Sequence, residues 1–291
     1  MPDLRPDRLA TLYFFHPLQR LLRRCSAGIP ILMYHSISAV DESRSHPYYR
    51  TATSVEVFEE QVSFLRENGY SAVSLSDAVS LTQGPAKAAA KCFVMTFDDG
   101  FQDFYRQAYP ILSRNGYTAT VFLPTAYIGD SPRKFNGVEC LTWNQVRELR
   151  RAGVDFGSHT VSHPQLRHLG AEKIQDEVRS SKQTIEQELG CAVKSFSYPY
   201  AFPETDRLFR QQLRGILADA GYENGVSTTI GRADQASDTI FMERLPVNSC
   251  DDRRLFRAKL EGGYDWVHPF QRSWKVLSAK LPQHSPCMSF E

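Results

Sequence analysis

Between residues 29 and 248, short apolar runs alternate with longer stretches in which apolar residues recur every three or four positions. The short runs are 29–34, 70–75, 92–97, 118–123, 154–156, 193–198, 225–229 and 241–247, and each has the length and composition of a strand. The stretches between them carry helix signals. Ser54 precedes Val55, Phe58, Val62 and Leu65; Thr142 precedes Val146 and Leu149; Ile174, Val178, Ile185 and Leu189 mark a helix that Gly190 closes. Strand and helix in strict alternation predict a parallel sheet with crossover helices. Seven or eight such units favour a closed barrel over an open doubly wound sheet. No G-x-G-x-x-G or Walker-type loop follows any of the strands, so the usual signature of nucleotide binding is missing.

The two ends of the chain read differently. Leu9, Leu12, Tyr13, Leu18, Leu21 and Leu22 recur at helical spacing beside Arg20, Arg23 and Arg24, with Pro17 as an interruption. Residues 1–28 thus form a basic amphipathic segment, which either braces its own domain or, through residues 1–24, lies on an anionic membrane surface. Leu255, Phe256, Leu260, Tyr264 and Trp266 predict a helical C-terminal extension over 251–291 ending in a tail rich in Pro and Ser. The central 29–250 is the domain. A chain of 291 residues with 42% apolar content fills one large core. Its 34 Lys+Arg against 33 Asp+Glu leave no basic field, which excludes nucleic acid as an expected partner. Six Cys without a C-x-x-C read as reduced thiols. Neither a membrane-spanning run nor a signal-peptide core is found, so the expectation is a cytoplasmic chain, peripheral to the inner membrane if the N-terminal segment binds lipid.

Chemistry concentrates at strand ends. The run 93–97 leads into Asp98, Asp99 and Gly100; a turn at the glycine presents both carboxylates at the carboxyl end of the strand, where barrel enzymes build their sites. The alternative is that one Asp caps a helix starting near Phe101. After the strand at 154–156 come His159 and His163, which on one helical turn project to the same side. Both imidazoles then reach one metal, and Asp99 completes a set of two His and one carboxylate that leaves a position open for water on a catalytic zinc. The alternative makes His159 a core or capping residue and His163 a surface one.

Thr96-Phe97-Asp98-Asp99-Gly100 and His159-Thr160-Val161-Ser162-His163-Pro164 resemble the first two signature motifs of the polysaccharide deacetylases, the NodB-homology domain of carbohydrate esterase family 4. The resemblance covers roughly 29–250. It implies a distorted (β/α)7 barrel that holds zinc, or cobalt or nickel in its place, by Asp99, His159 and His163, with Asp98 as general base. Phe196-Ser197-Tyr198-Pro199-Tyr200 is similar to the motif whose Pro-aromatic pair lines the acetyl pocket, which makes the Tyr200 N–H the oxyanion donor. The arginine of that motif is replaced by Ser197. Arg244, in the late strand 243–247, is the candidate substitute, an ordinary surface arginine being the alternative. The family's late Leu-x-His has no counterpart, since His268 and His284 stand in unmatched contexts. His35, at the end of the first strand, instead resembles the circularly permuted poly-N-acetylglucosamine deacetylase branch and is the candidate general acid, against a buried structural histidine. The implied activity is metal-dependent removal of N-acetyl groups from amino sugars of an exopolysaccharide, a cell-envelope glycan or a glycan precursor. Tyr48, Tyr49, Phe135, Trp143 and Phe202 are candidates to stack on sugar faces, or simply to pack. Two other readings are a zinc hydrolase of a small amide or cyclic imide and a non-catalytic glycan-binding or scaffold protein. The intact Asp98, Asp99, His159 and His163 set argues against the second.

Overall fold

A computed structural model describes residues 5–21, 28–39, 42, 47, 50–85 and 89–270. Seven parallel strands close a barrel in chain order: β1 (Ile31–Tyr34), β2 (Cys92–Phe97), β3 (Thr120–Leu123), β4 (Asp155–Ser158), β5 (Ser195–Ser197), β6 (Asn224–Ile230) and β7 (Met242–Pro246). Each pairs with the next, and β7 returns to β1 through Leu32 opposite Leu245 and Met33 opposite Pro246. The distorted (β/α)7 barrel expected from the sequence is therefore what forms. Its irregularity lies at β6 and β7, where the register shifts between Val226 and Ile230 and no helix intervenes among the described residues.

The eighth apolar run, 70–75, is not a barrel strand. Only Ser71–Ala72 pairs, with the first two residues of β2, because Ser74 sits inside the run and its hydroxyl accepts the Asp77 N–H to start the helix Leu75–Thr82. The other helix signals hold. Ser54 caps Val55–Glu67, Thr142 and Gln145 form a reciprocal capping box on Trp143–Arg151, and Gly190 ends Ala171–Leu189 with φ +65°. The helices bury Phe58, Val62, Val146, Leu149, Ile174, Val178, Leu213 and Leu217 against the barrel wall.

Pro17 does not break the N-terminal helix. A π-helical turn at Thr11–Phe15, in which the His16 N–H reaches back to the Thr11 carbonyl, joins Pro6–Ala10 to His16–Leu21. Cys92, Cys140, Cys191 and Cys250 are free thiols. Cys25, Cys287, His284, Tyr48, Tyr49 and the C-terminal tail lie outside the described residues.

Candidate active site

The carboxyl ends of the strands surround a cavity of about 390 Å³, lined among others by His35, Asp98, Asp99, His159, His163, Tyr198 and Tyr200. At the end of β2 the chain turns at Asp99 itself, with φ +68°, and again at Gly100, with φ +58°. Aspartate tolerates this left-handed conformation better than most residues. A side chain at position 100 would meet Leu123 Cδ2 at 2.8 Å, so the second position needs glycine. The turn gives the two carboxylates different surroundings in place of the helix cap that the sequence also allowed.

Asp98 faces into the barrel. Arg244 Nη1 donates to its Oδ1 and Nη2 to its Oδ2, both at 2.8 Å. The same guanidinium donates to Thr96 Oγ1, Ser197 Oγ and the Ser227 carbonyl, so all five of its N–H groups have acceptors. Arg244 has no exposed surface, which excludes the surface-arginine alternative. Ser197, at the place of the motif arginine, is small enough to admit it and itself donates to Asp98 Oδ1 at 3.2 Å. Burial alone would raise the Asp98 pKa, but Arg244 and then His159 hold the carboxyl well below the usual range.

Asp99 faces the two histidines. Its Oδ1 lies 3.5 Å from His159 Nε2 and 3.3 Å from His163 Nε2, and the two nitrogens are 3.2 Å apart. Donors held by one ion at roughly 2.0–2.1 Å in a tetrahedron are separated by about 3.4 Å. The protonation states fit as well. His159 Nδ1 meets the Ser197 carbonyl at 2.8 Å, which assigns the proton to Nδ1 and the lone pair to Nε2. Asp99 Oδ1 is buried without a hydrogen-bond partner. Burial and then Asp98 push Asp99 up to about 8, while burial pulls His159 down to about 4 and His163 down to about 3. A carboxyl raised this far regains its charge beside a cation, and neutral imidazoles are the ligating form. These three residues fit a divalent metal and would hold it.

The two histidines do not share a helical turn. They flank a loop in which Thr160 and His163 have φ +68° and +56°, and the His163 N–H donates to Thr160 Oγ1. The loop is held on one side by the Thr125 and Ala126 N–H groups, which donate to the Thr160 and Val161 carbonyls, and on the other by Glu177, a buried carboxylate on Ala171–Leu189 that no sequence motif marks as functional. Its Oε2 accepts the Val161 and Ser162 N–H groups at 2.8 and 2.9 Å, and its Oε1 accepts the Ser162 hydroxyl at 2.7 Å. A signal existed, because Glu177 lies on the same stripe as Ile174, Val178 and Ile185, where a charge needs a partner.

His35 follows β1 and places Nε2 3.9 Å from Asp98 Oδ2, on the cavity side; burial lowers its pKa. Its neighbour Ser36 donates to Asp103 Oδ2 at 2.5 Å, which ties this strand end to the segment after β2. Tyr200 has φ +61°, its ring is 4.6 Å from that of His163, and among the described residues its N–H meets no acceptor. Of the candidate stacking aromatics, Trp143 and Phe202 are packing residues, while Phe135, though buried, also lines the cavity. Phe135 is buried against Phe101, Tyr127 and His163, Trp143 against the core, and Phe202 against Tyr198 and Phe241.

Residues 86–225 match the family model described as polysaccharide deacetylase. Over these residues, close to half its length, the chain carries a polysaccharide deacetylase domain. Polysaccharide deacetylases are hydrolases of N-acetyl amide bonds, and this chain is an enzyme of that kind. Among curated relatives, YxkH of Bacillus subtilis (strain 168), named after the same family, is 29% identical over 235 residues, or 81% of this chain and 77% of that protein. The poly-beta-1,6-N-acetyl-D-glucosamine N-deacetylase of Escherichia coli (strain K12) is 35% identical over 144 residues, 46% of this chain but only 20% of that much longer protein. Among solved structures, the Streptococcus pyogenes deacetylase PplD in complex with acetate superposes with a TM-score of 0.68 at 25% identity, covering 80% of this chain and 98% of that one.

Proposed function

We propose that this polysaccharide deacetylase removes N-acetyl groups from amino sugars of a β-linked N-acetylglucosamine polymer, using Asp98 as general base and His35 as general acid around a metal held by Asp99, His159 and His163. The observation that carries the reading is the division of labour between adjacent carboxylates. Asp98 is fixed and charged by Arg244, and Asp99 is aimed at two imidazole lone pairs. When bound, a zinc, cobalt or nickel ion supplies a Lewis acid that polarises the acetyl carbonyl and acidifies water.

The protein's own groups do the rest. Asp98, an acceptor on the cavity wall, takes the proton of the attacking water. His35, across from it, delivers a proton to the departing amine, and the Tyr200 N–H donates to the oxygen that becomes negative. Acetate and a free amino sugar leave. The choice of polymer draws on the likeness to the E. coli poly-β-1,6-N-acetylglucosamine deacetylase over 144 residues.

The test is acetate release from N-acetylglucosamine oligomers by metal-loaded protein, with Asp98→Asn as the blank. Expected is turnover by the wild type, at least about 10²-fold loss in Asp98→Asn with metal retained, and metal loss in Asp99→Asn or His159→Ala. A metal-free Asp98→Asn beside a metal-loaded Asp99→Asn would reverse the two roles. A loaded wild-type enzyme that releases no acetate from these oligomers would remove the proposed substrate.

A further inference from the structure

Among the described residues, eight large hydrophobic side chains are exposed, and six of them gather at one place. Leu9 is 44% exposed, Tyr13 71%, Phe14 60%, Leu18 40% and Leu21 80%, all on the N-terminal helical segment, with Phe270 at 64% beside it. Phe270 packs on Trp266, and Trp266 stacks on Phe15 of that segment. Apart from that stack, the inner side of the segment is polar. Arg5 pairs with Asp7 and Asp251, Arg8 with Asp252 and His16 with Glu261, while Asp7 accepts from the Tyr264 hydroxyl and Thr11 Oγ1 from the Trp266 indole. An amphipathic helix ordinarily buries its apolar stripe in its own domain. Here directed polar bonds hold it with that stripe facing outward.

We propose that this outward face is a membrane-binding surface whose partner is an anionic lipid bilayer. Two properties select that occupant. The side chains are Tyr, Phe and Leu, the set that enters the boundary between headgroups and acyl chains. The charge is complementary, because Arg20 is the exposed ionic group on this segment and the sequence continues Leu22-Arg23-Arg24, with no acidic residue between Asp7 and Asp41. Arg5 and Arg8 do not contribute, being held by the carboxylates beneath. The arginines give attraction to phosphate headgroups, and the apolar side chains give depth. No helix of the described residues is long and apolar enough to cross a membrane, so the contact is with one leaflet.

The full chain is mixed with sedimentable vesicles of phosphatidylcholine alone or with phosphatidylglycerol added. Expected is pelleting with the anionic vesicles that weakens as salt is raised. Expected too is a loss of at least about tenfold in partition coefficient for the triple variant Tyr13→Ser, Phe14→Ser, Leu21→Ser. That variant should keep wild-type circular dichroism and acetate release from soluble oligomers, since none of the three touches the cavity. Wild type that stays in the supernatant with both vesicles overturns the proposal. So does a triple variant that still pellets, which places the lipid contact elsewhere. A vesicle-free dimer in sedimentation velocity that the same variant dissociates would assign the face to a second copy of the chain instead.

Discussion

Arg244 and Asp98 form a buried ion pair in which only the Asp98 carboxylate reaches the cavity, and such a pair is stable only when the remaining hydrogen-bonding capacity of both ions is met. Here it is met by Thr96, Ser197 and the Ser227 carbonyl. The pair holds one carboxylate ionised and rigid in a site whose other carboxylate is pushed the opposite way. Arg244→Ala leaves Asp98 charged and unpartnered in the barrel interior, which should cost about 3–5 kcal/mol of stability. Arg244→Lys keeps the charge but not the two-pronged geometry and should recover only part of the activity. Urea unfolding checks the first point. The double variant Asp98→Asn, Arg244→Met should regain much of what Arg244→Ala loses; equal loss in both would locate the effect in packing rather than charge.

At the scale of elements, the barrel was legible because seven apolar runs with β-strand composition are separated by stretches with caps that work as the sequence suggests. The run at 70–75 was misread because a serine that caps a helix looks no different from one in a strand until the chain turns. The cluster of Asp99, His159 and His163 was legible by residue type and spacing but not by conformation. His-x-x-x-His suggests a helical turn, yet Thr160 and Ser162 offer hydroxyls that compete with helical hydrogen bonds, and Pro164 disfavours helix at His163. In the loop that results, the carbonyls of Thr160 and Val161 are met by Thr125 and Ala126, but the Val161 and Ser162 N–H groups depend on Glu177. Glu177→Ala should therefore raise the metal dissociation constant by about 10- to 100-fold while leaving the barrel folded. Glu177→Gln, whose carbonyl still accepts both N–H groups, should stay close to wild type. Chelator competition measures both; equal affinity in Glu177→Ala and wild type would show that the loop holds its own shape.

The N-terminal segment is fastened to the rest of the molecule largely by ionic and hydrogen-bonded contacts, with the stack of Phe15 on Trp266 beside them. Arg5 reaches Asp251, Asp251 binds the buried Lys259 ammonium at 2.7 Å, and Lys259 donates to the Pro246 carbonyl at the end of β7, the strand that carries Arg244. The N-terminal segment is thus linked by a chain of ionic contacts to the wall of the active site. Two carboxylates beside that chain, Asp7 and Glu261, set the pH range in which the segment stays docked. Burial would raise Asp7, but Arg5 outweighs it and lowers the pKa, with help from the Tyr264 hydroxyl; Glu261 is lowered against burial by Arg257 and then His16. A carboxyl with a depressed folded pKa contributes stability above its unfolded value of about 4 and loses it as pH falls through the folded one. Acid below about pH 4 should therefore loosen residues 5–21 while the apolar barrel, with Asp98 held further down by Arg244, stays closed. Hydrogen exchange read by mass spectrometry along a pH series, corrected for intrinsic rates, should show peptides of residues 5–21 losing protection before those of β1 and β2. Simultaneous loss would mean that the segment is part of the barrel's own cooperative unit, and that the ionic chain is not what fastens it.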